Sequence, residues 1–263
     1  LLAGSAFGAT ALERPMILAY PPAARSDQVD TYNGTKVADP YRWLEHIDSA
    51  ETRAWVEAEA KLSNAYLAAI PGRDAIARRL TKVWNYERWS TPFNRGRHWF
   101  FTHNDGLQNQ AVLFVTEDLK TKPRVLLDPN TLSKDGTVAL KGVAVTDNGK
   151  LLAYGLSDAG SDWEILRVRD IATGKDLPDE IRWAKYTLAS WRKDGSGFYY
   201  AGYDAPTDSQ ILKTASQYHK LFFHKLGTPQ SHDALIYTRT DDPGWYVGGR
   251  VTDDGRYLVI TSS

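Results

Sequence analysis

The side chains able to do chemistry in this sequence are poorly arranged for it. One recurrent setting for a serine nucleophile is a G-x-S-x-G elbow, where a strained strand-to-helix turn exposes its hydroxyl. The nearest approach, "GLSDAG" at Gly155 to Gly160, has the wrong spacing and lies where strands are expected. No H-E-x-x-H pair occurs, and the six histidines show no metal-ligand spacing. Cysteine is absent, which excludes disulfides and thiolate metal sites. The triplets "DNG", "KDG" and "DDG" resemble pieces of calcium loops, yet none has the D-x-D-x-D-G spacing with a closing Glu, and recurrent turn chemistry explains them better. Asn33-Gly34-Thr35 formally matches a glycosylation acceptor and reads more simply as an Asn-Gly turn. From the residues alone we expect no catalytic constellation, no metal and no cofactor in this chain.

Composition narrows the class. Acidic and basic residues balance at 32 each among 263 residues, so no clustered basic excess marks a nucleic-acid partner. No apolar run of about 18 residues exists, so no helix is expected to span a membrane. Nine Trp and fourteen Tyr point to a β-rich fold with aromatic side chains in its layers. The start, "LLAGSAFGATA", is small and apolar, and Ala9-Thr10-Ala11 has the form of a leader cleavage site. We read residues 1–19 as a truncated signal peptide and leader, which predicts a periplasmic or secreted protein, with the cytoplasm as the alternative.

The elements that must position any site come in two kinds. From Asp48, "DSAETRAWVEAEAKLSNAYLAAI" has helical periodicity, with Trp55, Leu62, Tyr66 and Ala69 on one face. Asp48 and Glu51 have capping-box spacing, and Pro71-Gly72 ends the helix. A second helix is expected over roughly Arg73 to Trp84, with Ile76, Leu80 and Val83 at the same period. Just upstream, Tyr41, Trp43 and Leu44 offer apolar surface that two short helices cannot cover alone.

After Trp84 the chain repeats. "FNRGRHWFFTHN", "VTDNGKLLAYGL", "WRKDGSGFYYAG" and "VTDDGRYLVITS" share a Gly turn followed by an aromatic and aliphatic strand, with turn glycines at Gly96, Gly149, Gly195 and Gly255. Several strands per unit, at about 40 to 60 residues per unit, is the signature of a β-propeller. The irregular period argues against a solenoid. The long third unit carries an insertion, "YDAPTDSQILKTASQ". Three blades and the start of a fourth cannot close a ring, so the sequence reads as a fragment.

Taken together, these stretches resemble the amino-terminal part of the prolyl oligopeptidase family of serine peptidases. The resemblance is carried by "YNGTKVADPYRWLEHIDSAETRAWVEAE", "NDGLQNQAVLFV", "LLDPNTLSKDGTVAL", "LLAYGLSDAGSDWEILRVRD", "KLFFHKLGTPQS" and "DDGRYLVI", in order from about Tyr20 to the last residue. It implies a mainly β chain: a partial seven-bladed β-propeller over residues 85–263, preceded at residues 20–84 by a helical segment that belongs to an α/β-hydrolase domain. In that family the Ser, Asp and His triad lies in the carboxy-terminal part, so the resemblance assigns no catalytic residue to this chain. It further implies cleavage of short proline-containing peptides after proline, a propeller that gates access, a catalytic domain in cis as partner, and a monomeric whole protein. Matching around "SDW" and "PGWY" assigns substrate-binding roles to Tyr186 and Tyr246, as pocket aromatics, and to Asp162, facing an Arg of the catalytic domain.

Each role has a plainer reading: Tyr186 as a core strand aromatic, Asp162 as a turn cap before Trp163, and Tyr246 displaced in a loop one residue longer than usual. Two other functions stay open, a stand-alone propeller used as a binding module and a sister oligopeptidase of different residue specificity. The reading predicts that the chain alone hydrolyses no peptide and is poorly soluble. A soluble, monodisperse monomer that unfolds cooperatively would contradict the second expectation.

Overall fold

The computed structural model describes residues 18–205 and 217–263. Nearly all of the residues read as a leader, and residues 206–216 of the inserted piece, lie outside the described residues. The chain divides into two compact units, one ending at Leu80 and the other running from Thr81 to Ser263.

The first unit opens with a hairpin of β1 (Val29–Tyr32) and β2 (Thr35–Ala38). Asn33 and Gly34 both take positive φ, at 48° and 83°, as a two-residue I′ turn requires. Arg42 pairs with both Asp30 and Asp39, tying the hairpin to a short 3-10 turn at Arg42–Glu45. Helix α1 (Ala50–Ala68) follows. Its cap is Ser49 rather than Asp48: the Ser49 hydroxyl accepts from the Thr52 amide at 3.1 Å, while the Asp48 carboxylate pairs with Arg53 at 2.7 Å. Tertiary contact decides between two equally suitable neighbours, because Thr52 is buried and its Oγ1 donates to the Trp43 carbonyl at 3.1 Å. Trp43 in turn meets Trp55 edge-on, with ring centroids 6.3 Å apart. Helix α2 (Arg73–Trp84) carries Ile76, Leu80 and Val83 as expected, and all three are exposed.

The second unit is built of four antiparallel sets of strands. The first comprises β3 (Arg88–Trp89), β4 (Phe93–Arg95), β5 (His98–Asn104), β6 (Val112–Thr116) and β7 (Arg124–Leu127), with β3 and β4 both pairing with β5. The second is a meander of β8 (Ala139–Val145), β9 (Leu151–Ser157), β10 (Glu164–Asp170) and β11 (Asp176–Ala184). The third comprises β12 (Ser190–Trp191), β13 (Gly197–Gly202), β14 (Lys220–Lys225) and β15 (Ala234–Thr238). It is linked to the second through one bridging pair, Ala184 and Gly202. A two-stranded fourth set holds β16 (Val247–Val251) and β17 (Leu258–Ser262). This is the propeller blade pattern.

Blades stack because both faces of each sheet are apolar. On β9, Leu152 and Tyr154 bury against Phe100, Leu113, Val115 and Leu127 of the first blade. Ala153, pointing the other way, joins Leu166, Val168 and Ile181 against Trp191, Phe198 and Tyr200 of the third. The period of two in a strand delivers alternate residues to opposite neighbours, and burying a side chain such as Leu or Phe contributes about 1.5 to 3 kcal/mol. The turns interlock as well. A Cβ on Gly96 would lie 2.5 Å from the Asn148 oxygen, and one on Gly149 would lie 2.6 Å from the Arg95 oxygen. Both glycines have positive φ, so neither position accepts a side chain.

The second and third blades share a buried polar clamp. His224 is fully buried, with Nδ1 2.7 Å from Asp233 Oδ1 and Nε2 3.0 Å from Asp179 Oδ1. Asp233 also accepts from the Tyr200 hydroxyl at 2.8 Å, and Asp179 from the Gly227 amide at 2.5 Å. Burial alone would lower the His224 pKa, but the hydrogen bonds and charges of Asp233 and Asp179 outweigh it and hold the imidazolium above its usual range near 6.5. A group raised in this way contributes fully below its unfolded pKa, and its contribution is lost as pH rises through the folded value. The urea midpoint should therefore fall as pH rises above about 6.5. His224→Phe, which leaves two buried carboxylates facing each other, should cost about 3 kcal/mol and flatten that dependence. A variant with unchanged midpoint and slope would refute the clamp.

Candidate functional site

Three segments far apart in sequence meet at one exposed corner. At the end of β11, Trp183 and Tyr186 take positive φ, at 61° and 51°. Bulky residues in that region cost about 1 to 3 kcal/mol each, so the turn is maintained by its surroundings. The result is that Tyr186 projects outward, 51% exposed; it is not a core strand aromatic. Its hydroxyl donates to Asp162 Oδ2 at 3.1 Å. Asp162 lies in the loop between β9 and β10, where Ser161, rather than Asp162, caps the turn by accepting from the Trp163 amide at 3.1 Å. Tyr246 precedes β16, pinned by mutual backbone hydrogen bonds with Ser263. Its ring meets Tyr186 edge-on at 5.2 Å and 87°.

The structure thus brings together all three residues singled out from the sequence, and surrounds them with others that were not. Lys185 Nζ sits 4.9 Å from the centre of the Trp163 ring, 5.0 Å from that of Tyr186 and 3.8 Å from Asp162 Oδ2. Trp163 meets Tyr203 at 5.8 Å, Tyr203 meets His219 at 4.6 Å, and His219 meets Tyr246 at 5.8 Å. The contacts close a circuit, Trp163 to Tyr203 to His219 to Tyr246 to Tyr186 to Lys185 and back to Trp163. The run "WAKY" could have signalled Lys185 as a cation beside aromatics. His219 leaves no local mark, because its partners are 28 and 34 residues away.

Electrostatics follow the geometry. Partial desolvation, then the hydrogen bond and charge of Asp162, push the Tyr186 phenol above its ordinary range. Tyr186 also lines a groove of about 1370 Å³ whose walls come largely from β4, β8, β12 and β16, the strand that opens each repeat. Glu164 faces the same groove with an Oε2 that has no hydrogen-bond partner. Burial raises its carboxyl pKa, and the charge of Lys141 partly offsets this. In the "DNG", "KDG" and "DDG" triplets, Asn148, Asp194 and Asp254 are spent on their own turns, accepting from the amides of Lys150, Ser196 and Arg256, while Asp147 and Lys193 pair between two repeats at 2.6 Å. Among the described residues no group of His, Asp and Glu could hold a metal ion. The corner can do recognition: ring edges for an apolar or aromatic side chain, and a carboxylate for a cation.

The family described as "Prolyl oligopeptidase, N-terminal beta-propeller domain" matches residues 21–263. The chain belongs to the prolyl oligopeptidase family. A prolyl endopeptidase from Elizabethkingia meningoseptica is 42% identical over 262 residues, covering 100% of this chain and 37% of the relative. Prolyl oligopeptidase A of Amanita bisporigera is 34% identical, covering 92% of this chain and 36% of the relative. A solved prolyl oligopeptidase-family structure, from a study of two prolyl endopeptidases and their inter-domain dynamics, matches with a TM-score of 0.81 at 34% identity over 93% of this chain and 36% of its own. Prolyl oligopeptidase B of Galerina marginata, bound to a 25-residue macrocyclization substrate, matches with a TM-score of 0.75 at 30% identity over 94% of this chain and 37% of its own. The chain therefore spans little more than a third of the length of these relatives.

Exposed groups at such a corner contribute little to folding, and Asp162 is 61% exposed. Asp162→Asn should change stability by about 0.5 kcal/mol or less. It should also lower the Tyr186 phenol pKa, by removing the negative charge that raises it. Thermal unfolding and NMR titration of ring-labelled tyrosine check the two effects, and an unchanged Tyr186 titration would contradict the assigned contact.

Proposed function

We infer that the whole protein is a serine-type endopeptidase that hydrolyses short peptides on the carboxyl side of proline, and that this chain gates access and contributes to substrate binding. The observation that carries the reading is the meeting of Asp162, Tyr186 and Tyr246 at one exposed corner, where positive φ at Trp183 and Tyr186 turns the Tyr186 ring outward. The family membership supports it, as do the names of the relatives. In this reading a Ser nucleophile, activated by His and supported by Asp, attacks the carbonyl after proline while preorganised donors hold the oxyanion. Those groups come from a catalytic domain in cis. This chain supplies the pocket beyond the proline site: the Tyr186 and Tyr246 ring edges receive a substrate side chain, and Asp162 faces a cationic Arg of the catalytic domain.

The exposed face of Ile76, Leu80 and Val83 on α2 supports the same arrangement, since an α/β-hydrolase core would cover it. It also weighs against a stand-alone binding propeller, which has no use for such a helix. A monomeric protein secreted or held in the periplasm completes the proposal.

The test is kinetic, on the whole protein. Tyr186→Ala and Tyr246→Ala should each raise KM about tenfold for a proline peptide with an aromatic residue in that pocket, and should have a smaller effect on a peptide with glycine there. Equal effects on both peptides would remove the pocket role. Faster cleavage after a residue other than proline would remove the proline specificity.

A further inference from the structure

His219 is 1% exposed, on the segment leading into β14, and its ring joins three blades. The Val247 amide donates to its Nδ1 at 3.0 Å, so Nδ1 is an acceptor. The ring proton of the neutral form must then be on Nε2, which donates to the Lys185 carbonyl at 3.0 Å. Burial lowers the His219 pKa and favours that neutral form. The two backbone groups it holds belong to the immediate chain neighbours of Tyr186 and Tyr246. One imidazole therefore fixes the separation between the backbone carrying one pocket ring, after β11 of the second blade, and the backbone carrying the other, before β16 of the fourth. Its ring edge also touches Tyr246 directly.

We propose that His219 is a positioning residue that sets the width of the Tyr186–Tyr246 corner and so selects the size of the substrate side chain received there. The inference rests on the substrate-pocket reading of the two tyrosines. A histidine that merely filled space would need neither bond, and one that merely satisfied a single orphan amide would not reach both ring-bearing segments. A rigid corner favours a flat side chain in edge contact with both rings, whereas a loosened corner forfeits that preference.

The experiment uses the whole protein and two proline peptides that differ only in the pocket residue, one aromatic and one glycine. His219→Phe, which keeps the ring and loses both hydrogen bonds, should raise KM for the aromatic peptide about fivefold more than for the glycine peptide, with kcat moving less than KM. His219→Asn keeps an acceptor for the Val247 amide, and His219→Gln keeps a donor for the Lys185 carbonyl. Each should recover part of the discrimination, and they give the same readout should His219→Phe fail to fold. Equal changes for both peptides, or unchanged discrimination in all three variants, would overturn the proposal. Tyr186→Ala and Tyr246→Ala run alongside. If they lose the discrimination while the His219 variants keep it, the inference fails alone; if they too keep it, the pocket reading fails.

Discussion

Everything in the second unit depends on sheets that are apolar on both faces and can bury them only against each other. Leu152 and Tyr154 of β9 look one way and Ala153 the other, so the second blade requires a neighbour on either side. This burial far outweighs the exposed ion pairs, which contribute about 0 to 1 kcal/mol each. Stacking alone leaves the blades free to slide, and polar cross-ties fix their register. Trp191 Nε1 donates to the Ala144 carbonyl at 2.8 Å, Arg169 Nη1 to the Leu126 carbonyl at 2.6 Å, and His224 spans Asp179 and Asp233. Such bonds are costly to leave unmade inside a core, which makes them specific.

The corner inherits its precision from that stack. Tyr186 hangs from the second blade and Tyr246 from the fourth, so a slip between blades would part them. The aromatic circuit, the Lys185 ammonium over two rings and the paired hydrogen bonds of His219 convert blade register into a fixed spacing of two ring edges. Positive φ at Trp183 and Tyr186 is strain retained where it aims a side chain outward, a pattern associated with functional positions. The two buried histidines divide the labour: His224 joins blades through charge, and His219 joins them through a neutral ring.

Legibility followed the range of the interaction. The four Gly turns, the Asn33-Gly34 hairpin, both helices and the blade grammar are short-range patterns, and each appears where its residues predict it. The cap at Ser49 did not follow from spacing alone. Asp48 and Ser49 are both good caps, and the choice belongs to Thr52 reaching Trp43. Only family resemblance marks Tyr186, Tyr246 and Asp162 in the sequence, and their mutual contact is a property of the fold. Asp162 and Tyr186 are 24 residues apart and meet because β10 and β11 return to the same edge. No local signal marks the left-handed turn at Tyr186, where an aromatic in a strand-like run reads as core. His219 was silent for the same reason, since its meaning lies in two backbone groups on other blades.

Membership of the prolyl oligopeptidase family and the blade stack are established by the match over residues 21–263 and by the structure. The central claim is that the stack exists, functionally, to present the Tyr186–Tyr246 corner to a bound peptide. A crystal structure of the whole protein with a proline peptide inhibitor bearing an aromatic side chain upstream of the proline tests this most directly. The account predicts that side chain within about 4 Å of both tyrosine rings, with Asp162 facing a cationic group of the catalytic domain. An inhibitor seated without touching either ring, with Asp162 open to solvent, would contradict it.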